Sequence, residues 1–187
     1  FDSTKTLELK DIDFGAKDIE VSAQGKGNVY YYWSSEGVPL SGKIEEKDKG
    51  IKIRRSLLTR DGKDISLDKI AQGEIIVVDL TIQADVAYKN VIVEDLLPAC
   101  FEIENPRIAT SEKVDWMTKD NFEPDHIDVR DDRLLLFTDL PSTDTIHYRY
   151  VVRAVTKGKF ALPAVSASCM YDPSITSASG QGNIEVK

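Results

Sequence analysis

Hydrophobic and polar positions alternate along much of this chain, and the two clearest runs frame everything else. From Ile146, residues Ile146, Tyr148, Tyr150, Val152 and Ala154 fall on one side and His147, Arg149, Val151 and Arg153 on the other. A period of two is what a half-buried strand requires. Thr156-Lys157-Gly158-Lys159 supplies a turn in which Gly158 takes positive φ without a Cβ penalty. A second run then sets Phe160, Leu162, Ala164, Ser166, Ser168 and Met170 against Ala161, Val165, Ala167, Cys169 and Tyr171. The pattern predicts a long antiparallel hairpin whose far end delivers Met170-Tyr171 to an exit marked by Pro173. After Gln72-Gly73, Ile76, Val78, Leu80, Ile82, Ala84 and Val86 alternate with Val77, Asp79, Thr81, Gln83 and Asp85. That predicts a strand with one buried face and one mostly wet one.

Shorter segments fill in around these. Residues 51–58 read as a strand followed by an Asp61-Gly62 turn of the kind that joins hairpins. Residues 90–97 read as a strand stopped by Pro98, and Asp131-Asp132 turns into a strand at Arg133-Leu134-Leu135-Leu136-Phe137. A Ser/Gly-rich stretch, residues 177–182, precedes a last short strand at Ile184-Glu185-Val186. Residues 104–128 are irregular; between Pro106 and Pro124 a short helix or packed loop is expected over residues 110–117, anchored by Trp116. Near the start, Leu7-Glu8-Leu9 and Asp18-Ile19-Glu20-Val21 alternate, and Gln24 to Asn28 form a turn cluster. Val29-Tyr30-Tyr31-Tyr32-Trp33 then predicts a strand covered on both sides, its aromatics packing in a core. Residues 37–50, polar and turn-rich, read as a connector or a loose hairpin, with a module boundary there. Many short strands with regular turn signals, and at most one or two short helices, predict an all-β fold, an antiparallel β-sandwich.

Composition narrows the function. The chain has 187 residues, 41% of them hydrophobic, and no apolar run near the ~18 residues that span a membrane. A net charge of −8 with 24 scattered Lys and Arg argues against a nucleic-acid partner. The first residue is Phe1 and no signal peptide is visible, as expected of a piece of a longer polypeptide. Cys100 and Cys169, if paired, would close a loop of about 70 residues, worth roughly 4 kcal/mol; unpaired, they pack as small hydrophobes.

Catalytic patterns are missing. Of the two histidines, His126 falls in a Pro-Asp-His-Ile loop and His147 on the Arg-bearing face of a strand, and there is no Gly-x-Ser-x-Gly elbow, zinc spacing or phosphate loop. Carboxylates cluster at Glu45-Glu46, at Glu94-Asp95, and at Asp128 with Asp131 and Asp132. Calcium at the last would need oxygens free of counter-charge; Arg130 and Arg133 neutralise them, and a solvated turn is the expectation. No cofactor and no catalytic role are expected.

Several stretches resemble one family. Val93-Glu94-Asp95-Leu96-Leu97-Pro98-Ala99 running into Phe101-Glu102-Ile103-Glu104-Asn105-Pro106 is similar to the C-terminal domain of bacterial alpha-2-macroglobulins. So are Arg130-Asp131-Asp132-Arg133 with the following Leu134 to Phe137, Tyr148 to Ala154, Gly158-Lys159-Phe160, Pro163, and Met170-Tyr171-Asp172-Pro173. The resemblance runs in order over residues 50–187. It implies a macroglobulin or receptor-binding-domain-like sandwich over 46–187, with 1–45 returning from a thioester domain. It further implies a large periplasmic protein, often lipid-anchored, that traps proteases after bait cleavage, in many members through a Cys–Gln thioester. No Cys-x-x-Gln occurs here, so a thioester would lie outside this chain. In that setting the domain packs on the thioester domain of the same polypeptide and keeps water out until triggering, with Met170 and Tyr171 as the contact. Cys100 stands where the family usually has Gly, and Cys169 where it has a small residue; in an oxidising compartment the two substitutions suggest a disulfide. A bacterial adhesive or stalk-type β-sandwich is the alternative reading, and a carbohydrate-binding module a third.

Overall fold

The structure, a computed structural model, describes residues 22, 24–32, 42–104, 114–141 and 144–187. The chain divides into two units, Phe1–Gly37 and Val38–Lys187. In the first, the expected strands at 7–9 and 18–21, and Trp33, lie outside the described residues. Residues 29–32 form no strand, and Tyr30, Tyr31 and Tyr32 are 80%, 68% and 91% exposed. Strong β propensity does not make a strand without a partner to pair with.

Among the described residues, the second unit holds twelve strands: β1 (Lys47–Lys49), β2 (Ile51–Leu58), β3 (Ile75–Ala84), β4 (Tyr88–Leu96), β5 (Phe101–Ile103), β6 (His126–Val129), β7 (Arg133–Leu140), β8 (Ile146–Ala154), β9 (Gly158–Leu162), β10 (Val165–Cys169), β11 (Asp172–Ser179) and β12 (Gly182–Val186). Ten of them follow the order β5-β8-β3-β2-β1-β11-β10-β4-β7-β6, antiparallel throughout. The sheet folds over at β1, which meets β2 only at Lys49 and Ile51 while lying fully alongside β11. One core results. Ile51, Ile53, Leu80, Ile82, Tyr148 and Val152 come from one half, and Val91, Val93, Leu134, Leu136, Val165 and Ala167 from the other. This is the antiparallel β-sandwich that the alternation predicted.

Two serines bridge the fold-over. Where β2 leaves the ladder, Ser177 Oγ accepts the Ile53 N–H at 3.0 Å and Ser179 Oγ donates to the Ile53 carbonyl at 2.6 Å. Both serines are buried in β11, which takes in the first part of the Ser/Gly-rich stretch.

The long hairpin predicted over 146–171 does not form. β8 pairs with β3 and β5, β9 with β12, and β10 with β4 and β11. Gly158, at φ 141°, turns the chain as expected, but into a separate two-stranded ribbon. Pro163, which has no N–H to offer a ladder, then separates β9 from β10. The Asp61-Gly62 turn is present, with the Gly62 N–H on the Thr59 carbonyl at 2.9 Å, inside a longer loop between the paired β2 and β3. The outer face of β3 is drier than predicted. Val77 and Val151 are covered by Val114, Trp116 and Met117 around a 3-10 turn, Asp115–Thr118. Trp116 anchors this segment as expected, donating Nε1–H to the Arg60 carbonyl at 2.8 Å. Beside it, Asp79 takes Arg149 Nε and His147 Nδ1, both at 3.0 Å, and the Arg149 amide donates to Asn121 at 2.7 Å.

A buried charge network crosses the core. Arg55 of β2 pairs with Asp95 of β4, their side chains 3% and 0% exposed. Tyr150 donates its hydroxyl to Asp95 at 2.6 Å. The guanidinium also reaches the carbonyls of Leu96, Pro163 and Gly180. Burial pushes the Asp95 carboxyl up, opposed by the Arg55 charge and the Tyr150 hydroxyl.

Candidate functional site

Met170 and Tyr171 form the turn between β10 and β11, at 50% and 82% exposure. Neither enters the core. The backbone beneath them is held firmly. The Met170 N–H donates to the Asn90 carbonyl at 2.9 Å. Asp172 Oδ1 accepts the Ser174 amide at 3.0 Å and the Ser174 hydroxyl at 2.6 Å, and that hydroxyl holds the Asp172 carboxyl below the usual carboxylate range.

The same end of the sandwich carries the β3–β4 turn. Sequence alternation placed Val86 on the buried face of β3, but the strand stops at Ala84 and Val86 is 53% exposed. Next to it Tyr88 donates its hydroxyl to Asp85 Oδ1 at 2.6 Å, which raises the phenol to about 12. Tyr88 lies against Gly50, where a Cβ would sit 2.5 Å from its oxygen; φ there is 74°. Val86, Met170 and Tyr171 thus give this end an apolar rim. The signal for Val86 lay in Asp85 and Tyr88, whose hydrogen bond closes the turn around it, but nothing in the alternation itself marks where a strand must end.

The remaining sequence candidates are dispersed. Cys100 and Cys169 are free and buried, which corrects the suggested disulfide. Cys169 lies opposite Val91, at the start of β4, whereas Cys100 follows the other end of that strand and its carbonyl accepts the Val155 N–H. Burial pushes both thiols up, so neither is a ready nucleophile.

His126 packs near Phe137, with ring centroids 5.9 Å apart, and His147 belongs to the Asp79 cluster on the outer face of β3 and β8. The acidic turn is neutralised. Arg130 pairs with Asp128 at 2.8 Å, and Arg133 with Asp132 at 2.7 Å and with Glu94 at 2.6 Å. Asp131 stays exposed. Among the described residues no group of three His, Cys, Asp or Glu is arranged to hold a metal ion, and no helix is long and apolar enough to cross a membrane. What the arrangement offers is a rigid turn presenting a thioether and a phenol.

The fold is a macroglobulin-type antiparallel β-sandwich. Residues 50–174 match the bacterial alpha-2-macroglobulin MG10 domain. An alpha-2-macroglobulin of Rickettsia conorii is 31% identical over 179 residues, covering 91% of this chain and 9% of that protein. The Escherichia coli alpha-2-macroglobulin is 28% identical over 167 residues, covering 83% of this chain and 10% of that one. Among solved structures, Salmonella alpha-2-macroglobulin reacted with methylamine superposes with a TM-score of 0.71 at 29% identity, covering 79% of this chain and 10% of that chain. Escherichia coli alpha-2-macroglobulin activated by porcine elastase gives 0.70 at 28%, covering 80% and 14%. The chain belongs to the bacterial alpha-2-macroglobulin MG10 domain family, and it spans about a tenth of the length of the curated relatives it matches.

Proposed function

We propose that this chain is a non-catalytic part of a periplasmic, alpha-2-macroglobulin-like protease inhibitor, and that its sandwich packs through Met170 and Tyr171 on the thioester domain of the same polypeptide. There it shields the thioester from water until a target protease cleaves the bait. A lipid anchor on the full-length polypeptide belongs to the same reading. The observation that carries the proposal is the placement of a methionine and a tyrosine, largely exposed, on a tied turn rather than in the core. A thioester persists only where water is excluded, and a polarisable thioether beside an aromatic ring suits a dry, adaptable contact. Family membership over residues 50–174 weighs against the adhesive or stalk-type alternative.

The test is made on the full-length polypeptide. Replacing Met170 by Ser and Tyr171 by Ala together is expected to speed methylamine incorporation before any protease is added. Unchanged incorporation in the double variant would refute the contact.

A further inference from the structure

Two irregularities meet beneath Met170. β4 carries one residue more than β7 does between Tyr88, opposite Leu140, and Val91, opposite Thr138. Asn90 lies within that bulge, at a left-handed φ of 54°. This region is open to Gly, tolerated by Asn and strained for β-branched residues. On the next strand, the β10–β11 register jumps between Ser168, opposite Thr176, and Cys169, opposite Asp172.

Asn90 sits where the two bulges touch. Its carbonyl accepts the Met170 N–H at 2.9 Å, and its own N–H donates to Asp139 Oδ1 at 2.9 Å. The Asp139 N–H in turn donates to Asp125 Oδ2 at 3.2 Å. With the Asp172–Ser174 hydrogen bonds on the other flank, the turn is secured from both sides. Those ties use the backbone of Met170 and the carboxylate of Asp172, so the side chains of Met170 and Tyr171 remain exposed. Ordering a loop on binding costs affinity; a loop ordered in advance does not pay that cost. Bulges are a common device for re-aiming side chains at functional edges.

We propose that Asn90, supported by Asp139, is a positioning residue that holds the Met170–Tyr171 turn in its docking geometry before the partner arrives. This rests on the reading of that turn as the partner contact.

Three variants test it. Asn90→Gly keeps the left-handed backbone, Asn90→Val cannot hold it, and Asp139→Ala removes the acceptor of the Asn90 N–H without changing any residue of β4. In the 187-residue chain, hydrogen exchange at the Met170 amide should accelerate roughly tenfold or more in Asn90→Val and Asp139→Ala and stay within about twofold in Asn90→Gly, with the core amides of Val93 and Ala167 unchanged. Should Asn90→Val fail to fold, Asp139→Ala decides the question, because its loss is confined to one exposed carboxylate. Wild-type exchange at Met170 in Asp139→Ala overturns the proposal. On the full-length polypeptide the variants are then compared with the Met170→Ser/Tyr171→Ala double variant by methylamine incorporation. Acceleration in the double variant and in Asp139→Ala, but not in Asn90→Gly, supports the positioning role. Acceleration in the double variant alone overturns it and leaves the contact standing; no acceleration in the double variant overturns the contact itself.

Discussion

Replacing Asp95 by Ala removes the carboxylate that pairs with Arg55 inside the core. The guanidinium, 3% exposed, would keep the carbonyls of Leu96, Pro163 and Gly180 but lose its counter-charge, and the Tyr150 hydroxyl would lose its acceptor. Breaking a buried pair from one side costs about 3–5 kcal/mol, because the remaining charge stays desolvated. At about 2–4 °C per kcal/mol for a chain of this size, the midpoint of thermal unfolding should fall by roughly 6–20 °C. Tyr150→Phe removes one hydrogen bond to a charged group and should cost less, about 1.5–3 kcal/mol. The double variant Arg55→Met/Asp95→Leu removes both charges of the pair, so it should recover much of the loss. It should still fall short of the wild type, because three carbonyls lose a donor. Urea unfolding followed by circular dichroism, with each single and the double variant, gives the coupling energy. Losses under about 1 kcal/mol for Asp95→Ala, or a double variant that costs the sum of the singles, would refute the reasoning.

Three further outcomes follow from the same geometry. Ser177→Ala leaves the buried Ile53 N–H without its acceptor and should destabilise the fold by about 1–3 kcal/mol, whereas a loss within 0.5 would mean that the fold-over does not depend on that hydroxyl. Arg133 holds the Asp132 carboxyl below its ordinary 3.8, so that contribution is present above 3.8 and lost as pH falls further. The stability difference between the wild type and Asp132→Asn should therefore narrow as pH drops below about 4; a constant difference from neutral to acid pH would contradict the assignment. Finally, titrating thiols in denaturant without reductant should release two per chain, slowly or not at all before unfolding, and finding none would restore the disulfide.

Much of the sandwich could be read from the order of residues alone. Alternation at Ile76 to Ala84 and Ile146 to Ala154 found β3 and β8, and Pro98 and Asp131-Asp132 marked where neighbouring strands stop. These are local properties: a period of two fixes which side faces inward, and proline or a turn residue fixes where a ladder ends. The family was legible too, since its motifs are carried by residues at fixed spacing over 50–174. Which strand pairs with which was not. β8 and β9 are joined by a short turn yet belong to different sheets, because Glu74 and Gly73 take the Ala154 N–H and carbonyl and Cys100 takes the Val155 N–H, the backbone that a hairpin would have used. Nor could the sequence separate Glu94 from its neighbour Asp95. Adjacent side chains on a strand point to opposite faces, so one meets Arg133 near the surface and the other meets Arg55 in the core. The same holds at the Met170–Tyr171 turn. The residue types were visible from the start, but not that they would stand exposed beside register shifts at Asn90 and Cys169. Sequence sets the faces of each strand; register across distant strands, settled only when all ladders are satisfied together, decides what those faces meet.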